Sequence, residues 1–243
     1  MDISVVCEDE KTAELIEKKY PQVHIYKNVF PYVFRYEYEQ ELIKLLESDE
    51  ILVRTADGLG FLIQNGYKGK IIADAGLYTF NRASKQFLKD SGVYRNTVPL
   101  ELNYHEIRER GVEASELVIY GHVPMMISAQ CLYKNTKDAC RKDEKNGHRT
   151  VLKDRIGKNL PVICFCRYCL NIIYNSVPLS LHTELEKIRT LDVPSVRLSF
   201  TVEKPEEALD ITGFFIKLLS GTSRADSVPF KEYTRGHFIR GVE

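Results

Sequence analysis

With 243 residues, the chain is long enough for one large domain or two modest ones built on a substantial core. Hydrophobic residues at 44% and charged residues at 28% exclude disorder as the general state. Lys plus Arg and Asp plus Glu both number 34, so bulk charge will not hold nucleic acid or anionic membrane, and any such contact needs a local patch.

The amino terminus, MDISVVCEDE, has neither a basic start nor an apolar signal core. No apolar run approaches the roughly 20 residues of a membrane-spanning helix. The expectation is a cytoplasmic protein with no membrane partner.

Along the first 120 residues, short β-branched runs alternate with helical patterns, the signature of parallel strands joined by helices. Ile3 to Val6 reads as a strand, Glu10 to Lys19 as a helix and Val23 to Tyr26 as a second strand. Phe30 to Phe34 is a third candidate, but it follows too closely for a parallel crossover of a dozen or more residues. The rhythm then recovers: helix Glu39 to Glu47, strand Ile51 to Arg54, helix Leu59 to Gln64, strand Lys70 to Asp74 and helix Asn81 to Asp90. Strand Thr97 to Leu100, helix His105 to Arg110 and strand Leu117 to Tyr120 continue it.

From Gly121 to Ser176 the rhythm stops, and an elaborated loop region carrying function is expected there. It resumes with helix Leu181 to Leu191, strand Val196 to Phe200 and helix Pro205 to Leu219, whose proline and two glutamates suit a helix start. About eight strands point to a (β/α)8 TIM-barrel-like α/β fold, irregular near residues 27 to 35, with an open doubly wound sheet as the alternative. The expected organisation is one domain in three parts: a βα-repeat part over 1–120, a cysteine-rich insertion over 121–176, and a final βα unit with tail over 177–243.

Five of the six cysteines, Cys131, Cys140, Cys164, Cys166 and Cys169, fall within 39 residues. Without a secretory signal, reduced thiols or metal ligands are expected rather than disulfides. Cys166 and Cys169 form a C-x2-C pair, and Cys131 and Cys140 a looser C-x8-C pair. Together Cys131, Cys140, Cys166 and Cys169 offer four thiolates for zinc or for an iron-sulfur cluster, and spacing alone does not choose between these. Cys164 either replaces one ligand or packs behind the site. Cys7, at the end of an apolar strand, reads as a small buried hydrophobe.

Residues beyond the carboxyl ends of barrel strands line the mouth where sites form in this fold. Arg54, Asp74, Asn81, Glu101, Asn103, Tyr120 and His122 fall there. Glu101, Asn103, Tyr120 and His122 are the catalytic candidates; Arg54, Asp74 and Asn81 are substrate-binding candidates, joined by Arg235, His237 and Arg240 from the glycine-bracketed terminal run. Asp74 and Asn103 equally suit helix or turn caps, and His122 reads either as a general base or as a solvated loop histidine. From Cys131 to Arg155, eight Lys or Arg stand against four Asp or Glu, a patch suited to phosphate. No Gly-x-Ser-x-Gly elbow and no His-Glu-x-x-His motif occurs; Ser128, Ser176 and Ser180, or a cysteine paired with His122 or His182, remain for a nucleophile.

An ordered set of runs carries a family resemblance: ELVIYGHVPMMISAQC from Glu116 to Cys131, LKDR from Leu152 to Arg155, Pro161-Val162, Cys166 to Cys169, IYNS from Ile173 to Ser176, and YTRGHFIRGVE from Tyr233 to Glu243. With IIADAGLYTFN from Ile71 to Asn81 and PLELN from Pro99 to Asn103, they resemble peptidase family U-32, the so-called collagenase-like proteases, over roughly residues 50 to 243. The match is closest to the carboxy-terminal region of its longer members. His122 stands where the family usually has arginine, so that arginine's role does not carry over. The family's alanine- and glycine-rich first strands are also missing, which implies a part of a longer protein, a member of a hetero-oligomer or a short relative.

The resemblance implies a barrel-like fold and a peptidase label. Several members of the family are understood as oxygen-independent hydroxylases of RNA bases or quinone precursors that bind a four-iron four-sulfur cluster through four cysteines. It therefore implies Cys131, Cys140, Cys166 and Cys169 as cluster ligands, RNA or a small aromatic metabolite as substrate, and an electron donor as partner. Two alternatives stand beside this reading: a collagenase-like peptidase, and a non-catalytic interaction module with a structural metal such as zinc.

Overall fold

Short β-branched runs separated by amphipathic helices bury both strand faces most readily in a parallel sheet covered by helices. The computed structural model describes residues 1–33, 35–137 and 148–242. Their order begins β1 (Asp2–Cys7), α1 (Glu10–Lys19), β2 (His24–Tyr26), α2 (Glu39–Ile43), β3 (Glu50–Val53), α3 (Ala56–Gln64), β4 (Lys70–Ala73), α4 (Arg82–Asp90), β5 (Val93–Thr97), α5 (Tyr104–Arg110) and β6 (Ser115–Gly121). It continues with β7 (Pro124–Ser128), α6 (Leu132–Lys137), β8 (His148–Lys153), β9 (Asn159–Phe165), β10 (Leu170–Tyr174), β11 (Leu179–Ser180), α7 (Leu185–Leu191), β12 (Ser195–Phe200) and α8 (Pro205–Leu219). Two compact units result, residues 1–121 with 179–243 and residues 122–178.

In the larger unit seven parallel strands run in the order β2-β1-β12-β6-β5-β4-β3, with short antiparallel β11 appended to β6. The ring nearly closes just past β2, where Phe30 donates its amide to the Leu52 carbonyl (2.8 Å) and Leu52 donates to Asn28 (2.9 Å). This is a TIM-barrel-like arrangement with seven parallel strands instead of about eight. The strand expected over Phe30 to Phe34 accounts for the difference: with no room for a crossover, the chain just before it carries the line of β2 across to β3 as an isolated parallel bridge at Val29. Phe34 lies outside the described residues. Phe30 is fully buried beside Phe61, and a Cβ at Gly58 would come within 2.8 Å of its ring. Glycine at that position in α3 lets helix and chain crossing meet.

Helix limits follow local signals. Helix α1 is capped by Asp9, whose side chain accepts from the Thr12 amide at 2.9 Å, and α8 opens on Pro205. Gly66 and Gly92, just past α3 and α4, take φ of 66° and 86°, the left-handed region that ends helices cheaply at glycine.

The smaller unit is an antiparallel sheet in the order β7-β10-β9-β8, which corrects the expectation of an elaborated loop over this stretch. Strand β8, HRTVLK, alternates half-buried and exposed positions, as a strand with one covered face does. No described helix is long and apolar enough to cross a membrane.

Candidate functional site

A charge inside a strand buried on both faces is costly unless paired, and the barrel contains two. Arg197 on β12 is 2% exposed and Glu116 on β6 fully buried. Arg197 Nε donates to Glu116 Oε1 at 2.9 Å, Nη2 donates to the same oxygen and to Thr97 Oγ1, and Nη1 donates to Asp74 Oδ1 at 2.6 Å. Ser4 Oγ (2.8 Å) and the Tyr26 hydroxyl (3.0 Å) donate to Glu116 Oε2. β1, β2, β5, β6 and β12 each supply a group, and Asp74 follows β4 directly.

Just past β3, buried Arg54 extends the network: it is paired with Glu8, lies 3.5 Å from Asp74 and stacks its guanidinium 4.1 Å from the centroid of the Tyr32 ring. Burial alone would raise the Asp74 carboxyl, but Arg197, Arg54 and the Ala75 amide hold it below the ordinary carboxylate range. The chain thus fixes three carboxylates, Glu8, Asp74 and Glu116, and two guanidiniums at the carboxyl end and centre of the barrel.

The other mouth candidates lie elsewhere. Asn81 and Asn103 are the N-caps of α4 and α5, each in a reciprocal capping box, with Ser84 and Glu106 respectively. Glu101 is half-buried in the turn before α5. Tyr120 is turned outward by a register shift: Val118 pairs with Arg197 and Tyr120 with Leu198, leaving Ile119 as the extra residue. It packs against Phe200, Phe215 and Phe230, and burial, then Glu203, pushes its phenol far above the usual range. His122 belongs to the smaller unit, where Nδ1 donates to the Asn175 carbonyl at 2.7 Å.

In the terminal run, Arg235 pairs with Glu184 at 3.2 Å, His237 Nδ1 donates to the Gly241 carbonyl at 2.8 Å, and Arg240 is exposed. Phe238 anchors the segment, being buried, with its carbonyl accepting from the Tyr104 amide at 2.8 Å.

In the smaller unit, β9 and β10 meet in a turn over Cys166–Tyr168, closed by the Cys169 amide donating to the Cys166 carbonyl at 3.3 Å. Cys169 takes φ of 49°, a strained setting for a residue with a Cβ and one found at functional sites. Cys164 is 2% exposed beside Tyr133 and Val162, and both Cys131 and Cys166 pack against this cluster. Burial, then Cys166 and Cys131, pushes the Cys164 thiol up to about 11. Cys131 Sγ accepts from the Lys134 amide at 3.4 Å. Tyr133 is hydrogen-bonded to His148 Nε2, with ring centroids 4.4 Å apart.

The arrangement therefore brings Cys131, Cys164 and Cys166 together and sets Cys169 one turn away, while Cys140 lies outside the described residues. Their soft sulfur donors suit iron or zinc. Among the described residues no group of three or more His, Cys, Asp or Glu is gathered closely enough to hold a metal ion.

Sequence reading missed Glu116 and Arg197 as site residues, although each is a lone charge in an apolar strand. Ser4, Tyr26 and Thr97 carry no comparable signal, because only the closed sheet makes them neighbours. No family model, curated protein or solved structure matches the chain.

Proposed function

We propose that the chain binds an iron-sulfur cluster through Cys131, Cys140, Cys166 and Cys169, and that it acts on a planar aromatic ring, an RNA base or a small metabolite, in oxygen-independent hydroxylation-type modification. The observation that carries the reading is the gathering of Cys131 and Cys166 around buried Cys164, with Cys169 in the C-x2-C turn. A bound cluster supplies one-electron transfer, with potential tuned by burial and by hydrogen bonds to sulfur. This reading implies an electron donor as partner. Around that chemistry the chain's own residues exclude water, through Tyr133 and Val162. At the barrel, the Arg54 guanidinium with the Tyr32 ring and the Asp74 carboxylate supply charge and a stacking surface for substrate.

The peptidase alternative draws less support. Ser180 Oγ and His182 Nδ1 lie 2.8 Å apart, but both residues are buried. Cys7 has its thiol pushed far up, by burial first and then by Glu203, opposite to what a nucleophile needs.

The test is iron, sulfide and zinc analysis of protein purified without oxygen. About four irons per chain with broad visible absorbance are expected, lost in Cys131→Ser, Cys140→Ser, Cys166→Ser and Cys169→Ser and kept in Cys7→Ser. Equal iron in all five variants would overturn the ligand assignment. One zinc and no iron would make the site structural and the chain an interaction module.

A further inference from the structure

Arg110, the last residue of α5, is 3% exposed, and the acid that acts on its charge, Glu113, is ion-paired with Lys85 instead. Its donors all go to neutral acceptors: the Thr79 carbonyl, Thr79 Oγ1 (2.6 Å), Asn96 Oδ1, the Gly111 carbonyl (2.9 Å) and Ser115 Oγ (3.3 Å). Burial pulls its guanidinium down to about 10, still protonated at neutral pH. Buried charges are ordinarily paired. The nearby carboxylate, Glu113, is instead taken by Lys85, whose Nζ lies 2.9 Å from Glu113 Oε2 and also donates to the Gly111 carbonyl at 3.0 Å.

Arg110 lines a cavity of about 560 Å³ between α4 and the end of α5, within the size range of small-molecule sites. Arg82, Lys85 and Lys89, along α4, line it too, so four cations face one carboxylate. Leu88, Val93 and the half-exposed Tyr94 ring give it an apolar side. The position is separate from the barrel interior. Thr97 of β5 points inward to Arg197, so its neighbour Asn96, which bonds Arg110, faces out.

We propose that this groove binds a small organic phosphate, with the anionic group among Arg82, Lys85 and Lys89 above the buried Arg110 and an aromatic body on Leu88, Val93 and Tyr94. The site goes beyond the proposed iron-sulfur chemistry, shares no residue with it and stands or falls separately.

Calorimetric titration of the full chain with adenosine 5′-monophosphate, inorganic phosphate and adenosine tests it. Saturable binding of the nucleotide at one site is expected, weakening as salt rises because exposed cations contribute. The Arg82→Gln/Lys89→Gln double variant should weaken that binding by about tenfold or more while its thermal unfolding midpoint stays unchanged, since both side chains are exposed. Absence of saturation by the nucleotide, or wild-type affinity in the folded double variant, would overturn the site. Inorganic phosphate binding as tightly as the nucleotide would overturn the organic ligand.

Discussion

Arg197 is the residue on which the barrel interior depends, because two carboxylates, Glu116 and Asp74, are buried against it. Removing it leaves both without their main partner. Arg197→Leu is expected to cost about 3–5 kcal/mol and to lower the thermal midpoint by on the order of 10 °C, and pairing it with Glu116→Gln should recover part of that loss. Calorimetry of the two variants checks this.

Asp74 gives the pH counterpart. Its folded carboxyl is held below the unfolded value of about 4, so the unfolded chain binds the proton more readily. The stability this contributes is present above about pH 4 and is lost as pH falls through the lower folded value. Asp74→Asn should therefore be less stable than wild type at neutral pH, with the gap closing below about pH 4 in urea midpoints. Both charges could be read off the sequence as oddities in apolar runs. Their pairing could not, since Glu116 and Arg197 are 81 positions apart.

At the scale of elements, local chemistry set the helices and blurred two of the site assignments. Asn81 and Asn103 follow strands and precede helices, so the same residue type suits a barrel rim and a helix start. The capping boxes show the second role. Asn103→Ala is expected to cost about 1 kcal/mol and to speed amide exchange in the first turn of α5, read by hydrogen exchange. Strand β6 shows the opposite case. Its run Glu116-Leu-Val-Ile-Tyr120 carries no mark of an irregularity, but the extra residue at Ile119 turns Tyr120 to the helix side. A bulge is invisible in a single strand, because it exists only relative to the partner's register.

For the whole molecule, Cys131, Cys164, Cys166 and Cys169 belong to one unit and the barrel network to the other. Among the described residues, nearly all the helix belongs to 1–121 and 179–243. A Cys131→Ser/Cys166→Ser variant is therefore expected to keep its helical circular dichroism while losing bound iron. A collapse of that signal would show that the cysteine unit is needed for the barrel to fold.

The βα rhythm, the limits of α1 and α8 and the concentration of thiols are legible in the amino-acid order, because periodicity, caps and spacing act over a few residues. The near-closure of a ring of seven strands, the antiparallel pairing of β7 to β10, the outward turn of Tyr120 and the burial of Arg110 against neutral acceptors are not written locally. Each of these depends on which distant segments meet. That choice rests on shared burial and backbone pairing across the whole chain, which no local pattern encodes.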